Sequence, residues 1–135
     1  MQDELKDIAA RCLAGAEDDS MTFPQIVGAL IDAGFEGYAV DYRAGTASYY
    51  LPAGRCFTLP IRDEGPPVAA AFDAPAIRAA IAQAQALAPG YTYAGFCRTV
   101  RDAGCAGYLV SFSGRRALYY GRTAETHVEL FPDAP

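Results

Sequence analysis

At 135 residues, 52% hydrophobic and 20% charged, the chain has the composition of an ordinary soluble domain and the length to bury roughly two-thirds of its unfolded surface. No apolar run approaches the ~20 residues that cross a bilayer, and the acidic start Met1-Gln2-Asp3-Glu4 lacks the basic and apolar regions of a secretory signal, so a cytoplasmic protein with no membrane partner is expected. A net charge of −5 argues against a broad footprint on nucleic acid, although residues 1–67 hold eleven acids and five bases while residues 68–135 hold five acids and six bases.

In chain order, Leu5, Ile8, Ala9 and Cys12 fall at helical spacing and predict a helix from about Asp3 to Ala14, followed by a polar turn over residues 15–20. Thr22-Phe23-Pro24-Gln25 resembles a capping box, with Phe23, Ile26, Val27, Leu30 and Ile31 as the apolar stripe of a second helix that Gly34 closes. Alternation then takes over. Tyr38, Val40 and Tyr42 share one face of a strand, and further strands are expected at Thr46–Leu51 and Arg55–Pro60. Residues 61–72, with Asp63-Glu64-Gly65-Pro66-Pro67, form a connection. Asp73 and Pro75 then open a helix with Ile77, Ala80, Ile81 and Leu87 on its stripe, and Thr92 opens another carrying Tyr93, Phe96, Cys97 and Val100. Strands near 107–113, 116–121 and 126–131 complete the chain.

The second half restates the first. Asp32-Ala33-Gly34 and Gly37-Tyr38 return seventy residues later as Asp102-Ala103-Gly104 and Gly107-Tyr108, and Tyr49-Tyr50 returns as Tyr119-Tyr120. A period this long predicts two copies of one supersecondary unit. The expected fold is α+β: an internal duplication of an ααβββ unit, with antiparallel three-stranded meanders packed by helix pairs. It forms one domain over residues 1–135, with unit one at 1–60 and unit two at 73–132. Whether the six strands form one sheet or two is left open by the sequence.

The helix–Asp-Ala-Gly–Gly-Tyr plan, Gly114-Arg115-Arg116, Tyr120-Gly121-Arg122 and the terminal Thr126-His127-Val128-Glu129-Leu130-Phe131-Pro132 resemble the YbcV-like bacterial proteins of unknown function, some labelled phage envelope protein. The resemblance spans essentially the whole chain and is best over residues 92–132. It implies a bacterial protein and carries no established activity, so no catalytic role follows from it.

Comparing each residue with its counterpart sorts the candidate sites. Cys97 matches Val27, Cys105 matches Phe35, and Cys12 matches Ile81, so these thiols take apolar places; no C-x-x-C pair suggests a metal, and no cofactor is expected. Tyr49 and Tyr50, like Tyr119 and Tyr120, must point to opposite faces of a sheet, which makes Tyr50 and Tyr120 candidates for a ligand or partner surface, or for packing between units. Arg115, Arg116 and Arg122 replace Gly45, Thr46 and Pro52; guanidiniums gathered on one hairpin would grip a phosphate or carboxylate, and a solvated hairpin tip is the plainer alternative. His127 and Glu129 replace Phe57 and Leu59. Either they share a face, giving a weak acid–base pair, or a one-residue bulge turns Val128 and Leu130 inward instead.

The expectation is a non-enzymatic module binding a small ligand or a protein, in a groove between the two units. The alternatives are an enzyme using His127 and Glu129 on an anionic substrate, with Arg122 holding it, and a homo-oligomeric structural or phage-associated protein.

Overall fold

Helix positions follow from local signals. The computed structural model describes residues 2–62 and 65–131, and of Gln2 and Asp3 only the backbone; Asp63 and Glu64 of the expected connection, and Pro132 at the end of unit two, lie outside the described residues. The first helix, α1 (Gln2–Glu17), runs three residues past its expected end. Gly15 is a packing glycine rather than a turn glycine: a Cβ there would meet the Met21 side chain at 2.6 Å. In α2 (Phe23–Asp32) the capping box forms in full, with the Thr22 hydroxyl accepting from the Gln25 amide and the Gln25 side chain accepting from the Thr22 amide.

Three strands follow, β1 (Gly37–Asp41), β2 (Thr46–Tyr50) and β3 (Cys56–Pro60). Then comes α3 (Ala74–Gln85), capped by Asp73, and α4 (Tyr93–Asp102), capped by Thr92. Leu87, expected on the α3 stripe, lies beyond the helix at φ 47° and is exposed. The last strands are β4 (Cys105–Ser111), β5 (Arg116–Gly121) and β6 (Thr126–Leu130). A bulge between Cys105 and Gly107 shifts the β4–β5 register, so β4 begins two residues earlier than its alternation suggested.

All six strands join one antiparallel sheet in the order β3-β2-β1-β4-β5-β6. The boundary between the halves is therefore the hydrogen-bonded pair β1·β4, with no groove between separate sheets. Ala39 lies opposite Leu109 in this pair, Tyr38 opposite Val110 and Val40 opposite Tyr108. Flanking bonds extend it at both ends, from Tyr42 N to Ala106 O (2.9 Å) and from Phe112 N to Glu36 O (3.0 Å). Ala39 and Leu109, seventy apart in sequence, thus face each other at a local twofold, and the flanking pairs are arranged symmetrically about them.

The four helices among the described residues bury their stripes on one side of this sheet. Leu30, Ile77, Phe96 and Val100 pack there against Tyr38, Val40, Tyr49, Tyr108, Val110 and Tyr119 in one core. Sheet register brings ring residues together across all six strands: Phe57 pairs with Tyr49, Tyr49 with Tyr38, Tyr108 with Tyr119 and Tyr119 with His127. Tyr38 and Tyr108 close the row at 6.2 Å in an edge-on contact.

Residues 65–73 form a strap across the end of α4. Pro66 O accepts from Arg101 Nε (2.8 Å), Ala69 N donates to Arg101 O (3.0 Å), Val68 O accepts from Arg122 Nη1 (3.3 Å), and Asp73 N donates to Ala103 O (2.7 Å). Gly104 and Gly121 lack the Cβ atoms that would collide with Ala71 and Phe72. Among the described residues no helix is long and apolar enough to cross a membrane.

Candidate functional site

The strand alternation that fills the core assigns the candidate side chains to faces. Tyr49 and Tyr119 face the helices; Tyr50 and Tyr120 lie on the bare face, half-buried. Each of these outer tyrosines sits opposite a glycine, Tyr50 across from Gly37 and Tyr120 across from Gly107. The Tyr120 hydroxyl rests where a Gly107 side chain would be. Burial, chiefly, raises its pKa above 10.0. Part of Tyr120 thus covers strand backbone at Gly107.

The three arginines do not gather. Arg115 occupies the β4–β5 turn at φ 51°, where its carbonyl accepts from Phe131 N (2.8 Å). Arg116 opens β5 and donates from Nε to Gly114 O (3.0 Å). Arg122 stands beyond the other end of β5, where it holds the strap through Val68 O. Six residues of extended chain separate Arg116 from Arg122, about 20 Å at strand rise. A single bidentate grip by all three is thereby excluded.

His127 and Glu129 do share a face, and it is the helix-facing one. Register from β5 to β6 is unbroken, so the bulge alternative is not realised: Val128 and Leu130 stay on the bare face. His127 Nε2 lies 3.1 Å from Glu129 Oε1, and the imidazole leans on the Tyr119 ring at 6.4 Å. The carboxylate can orient the imidazole through this contact. Both side chains are half-buried on an edge strand. His127 ends the ring row where Phe57 ends it on the opposite edge.

A constellation that sequence reasoning missed lies between α1, the β3 end and α4. Its cavity of about 50 Å³ is lined by Glu17, Tyr42, Tyr93, Cys97, Arg98 and Arg101, among others. Tyr42 donates to Cys97 Sγ (3.3 Å), the Tyr93 and Tyr108 hydroxyls bond at 2.7 Å, and the Arg101 guanidinium stands 5.4 Å over the Tyr42 ring. Burial, first of all, raises the pKa of Cys97, which keeps it a thiol at neutral pH. The repeat contains the signal that could have found these residues. Tyr42, Tyr93, Cys97, Arg98 and Arg101 have Phe112, Phe23, Val27, Gly28 and Ile31 seventy positions away, so at each place one half carries a polar group where the other is apolar. A volume of this size holds a water or two and falls well short of the ~300 Å³ at which small-molecule sites begin.

Cys12 and Cys105 are buried, Cys97 is half-buried, and Cys56 is exposed on the bare face; all four are free thiols. No group of three or more potential metal ligands occurs among the described residues. The bare face itself is low in charge: its β4, β5 and β6 positions are Gly107, Leu109, Ser111, Arg116, Leu118, Tyr120, Thr126, Val128 and Leu130. Leu109, Val128 and Leu130 are 44%, 41% and 59% exposed. Comparison with known proteins finds no matching family model and no matching curated protein.

Proposed function

We propose that the protein is a non-enzymatic interaction module that binds another protein through the bare face of its sheet. The observation that carries this reading is the one-sided packing: four helices cover one face and leave Leu109, Val128 and Leu130 in solvent on the other. Six strands at ~4.8 Å spacing and ~17 Å length give a flat footprint of roughly 400 Å². An area of this order matches the largest patches of ordinary monomers, which are often functional, and is about half of what one side of a standard interface buries. A weak or transient complex, rather than an obligate one, fits this size. Tyr50 and Tyr120 flank the patch and offer apolar bodies with polar tips.

The reading includes three further proposals. The repeated ααβββ order and the local twofold through Ala39 and Leu109 support descent from a duplicated unit. Four free thiols suit a reducing, cytoplasmic setting, and kinship with the YbcV-like proteins rests on the terminal motifs.

The test is a photo-crosslinking residue at position 109 in the producing cell. One discrete adduct is expected, and Val128→Asp with Leu130→Asp should remove it while leaving the melting temperature within a few degrees. An adduct at the mass of two chains identifies a homo-oligomer and another mass a different protein. Diffuse or absent crosslinks would count against the bare face as an interface.

A further inference from the structure

The helices α2 and α4 have the same length, the same Thr cap and the same Ala-Gly exit, yet only α4 carries a strap. Its consequences show in burial. Arg101, beneath Gly65 and Pro66, is 5% exposed, whereas Ile31 at the matching place on α2 is 49% exposed. Phe23, also exposed, meets the Phe131 ring at 5.8 Å, and the half-buried Val27 continues the same helix face. Over Gly104 lies the Ala71 backbone, but over Gly34 and Gly28 there is open space. The strap bonds to Arg101 O and Ala103 O have no equivalents at Ile31 O and Ala33 O among the described residues.

We infer that the end of α2, at Ile31, Ala33 and Gly34, receives an extended apolar peptide of a partner protein, laid as residues 65–73 are laid across the end of α4. This rests on the duplication reading above and concerns a surface other than the bare sheet face. The strap supplies the chemistry of the occupant. An extended chain rich in small apolar residues and proline can donate amides to the helix-end carbonyls and cover Ile31. One difference narrows it further. A Cβ on Gly121 would meet the Phe72 ring at 2.6 Å, and the residue seventy positions before Gly121 is Leu51, which carries a side chain. The α2 end therefore takes a small residue where the strap has Phe72. Exchange of Arg101 for Ile31 removes the need for the carbonyl partner that Pro66 provides and favours an apolar contact instead.

The experiment is an amide-resolved NMR titration of the full chain with the synthetic peptide Gly-Pro-Pro-Val-Ala-Ala-Ala, the sequence of residues 65–71. Saturable shifts grouped at Ile31, Ala33 and Gly34 are expected, and Ile31→Asp should weaken binding at least tenfold. Ile31 is exposed, so that variant should keep its fold, which its spectrum reports directly. No shifts at millimolar peptide would overturn the inference. Shifts confined to residues 101–104 would also overturn it, because they mean displacement of the resident strap. Shifts confined to Leu109, Leu118 and Val128 would overturn it too, while supporting the bare face as the interface.

Discussion

Gly34 and Gly104 leave their helices in the same left-handed conformation, at φ 97° and 92°, but in different company. Alanine at either position pays the strain of that conformation, about 1–2 kcal/mol. At 104 the new methyl also runs into the Ala71 backbone, whereas at 34 it meets nothing within 4 Å. Overpacking of that kind adds about 1–3 kcal/mol. Gly104→Ala should therefore destabilise by roughly 3–4 kcal/mol and Gly34→Ala by less than half as much, as read from urea midpoints. Equal losses would show that the strap yields freely. The same scale explains Arg122. Its guanidinium, read in the sequence as a possible anion grip, is committed to Val68 O of the strap.

At the scale of elements, the core between sheet and helices is lined by tyrosines whose ionisation the fold opposes. Burial is the first cause in every case: it raises Tyr42, Tyr93 and Tyr108 well above 10.0 and brings Tyr91 to about 12, and it raises Cys105 from 9.0 to about 11. Above pH 9 the unfolded chain begins to lose thiol protons, and near pH 10 phenol protons, that the native state retains. The unfolded state then binds fewer protons, so stability falls as pH rises, by about 1.4 kcal/mol per unit for each such group. The melting temperature should be flat from pH 7 to 9 and drop steeply beyond 10, with tyrosinate absorbance appearing together with unfolding. More tyrosinate than the two bare-face residues Tyr50 and Tyr120 can supply, in a chain whose near-ultraviolet dichroism is still native, would refute this. Helices, caps and strand alternation were legible because their signals are local: Thr22 and Gln25, Asp73, and the Tyr38/Val40 pattern each act within a few residues. The joining of β1 to β4, the choice of Tyr50 and Tyr120 for the bare face, and the unbroken register at His127 depend on pairings far apart in sequence. Arg98 and Arg101 are legible only by comparison with Gly28 and Ile31 seventy positions earlier.

For the whole molecule, the central strand pair fixes what each half requires. An isolated half would expose the β1 or β4 edge, and a chain of about 65 residues is marginal even without such an edge. The register offers a remedy: where β4 now meets β1, a second β4 could lie with Leu109 opposite its own copy and Tyr108 opposite Val110, as Val40 and Tyr108 already pair. A fragment of residues 65–131 should therefore fold as a homodimer with a continuous six-stranded sheet, and its melting temperature should rise with concentration. A folded monomer at all concentrations, or a dimer that Leu109→Pro leaves intact, would sink this.

The row of rings from Phe57 to His127 has an optical consequence. With nine tyrosines and no tryptophan, all intrinsic emission of the protein comes from phenols. Four of these stand in series across the sheet, with neighbouring ring centres 5.3–6.2 Å apart. At such spacing their transition dipoles couple, and absorbed energy passes from strand to strand before it is released. Polarised emission should accordingly be low while the sheet is whole and rise as the rings separate, so the colourless core carries its own gauge of assembly.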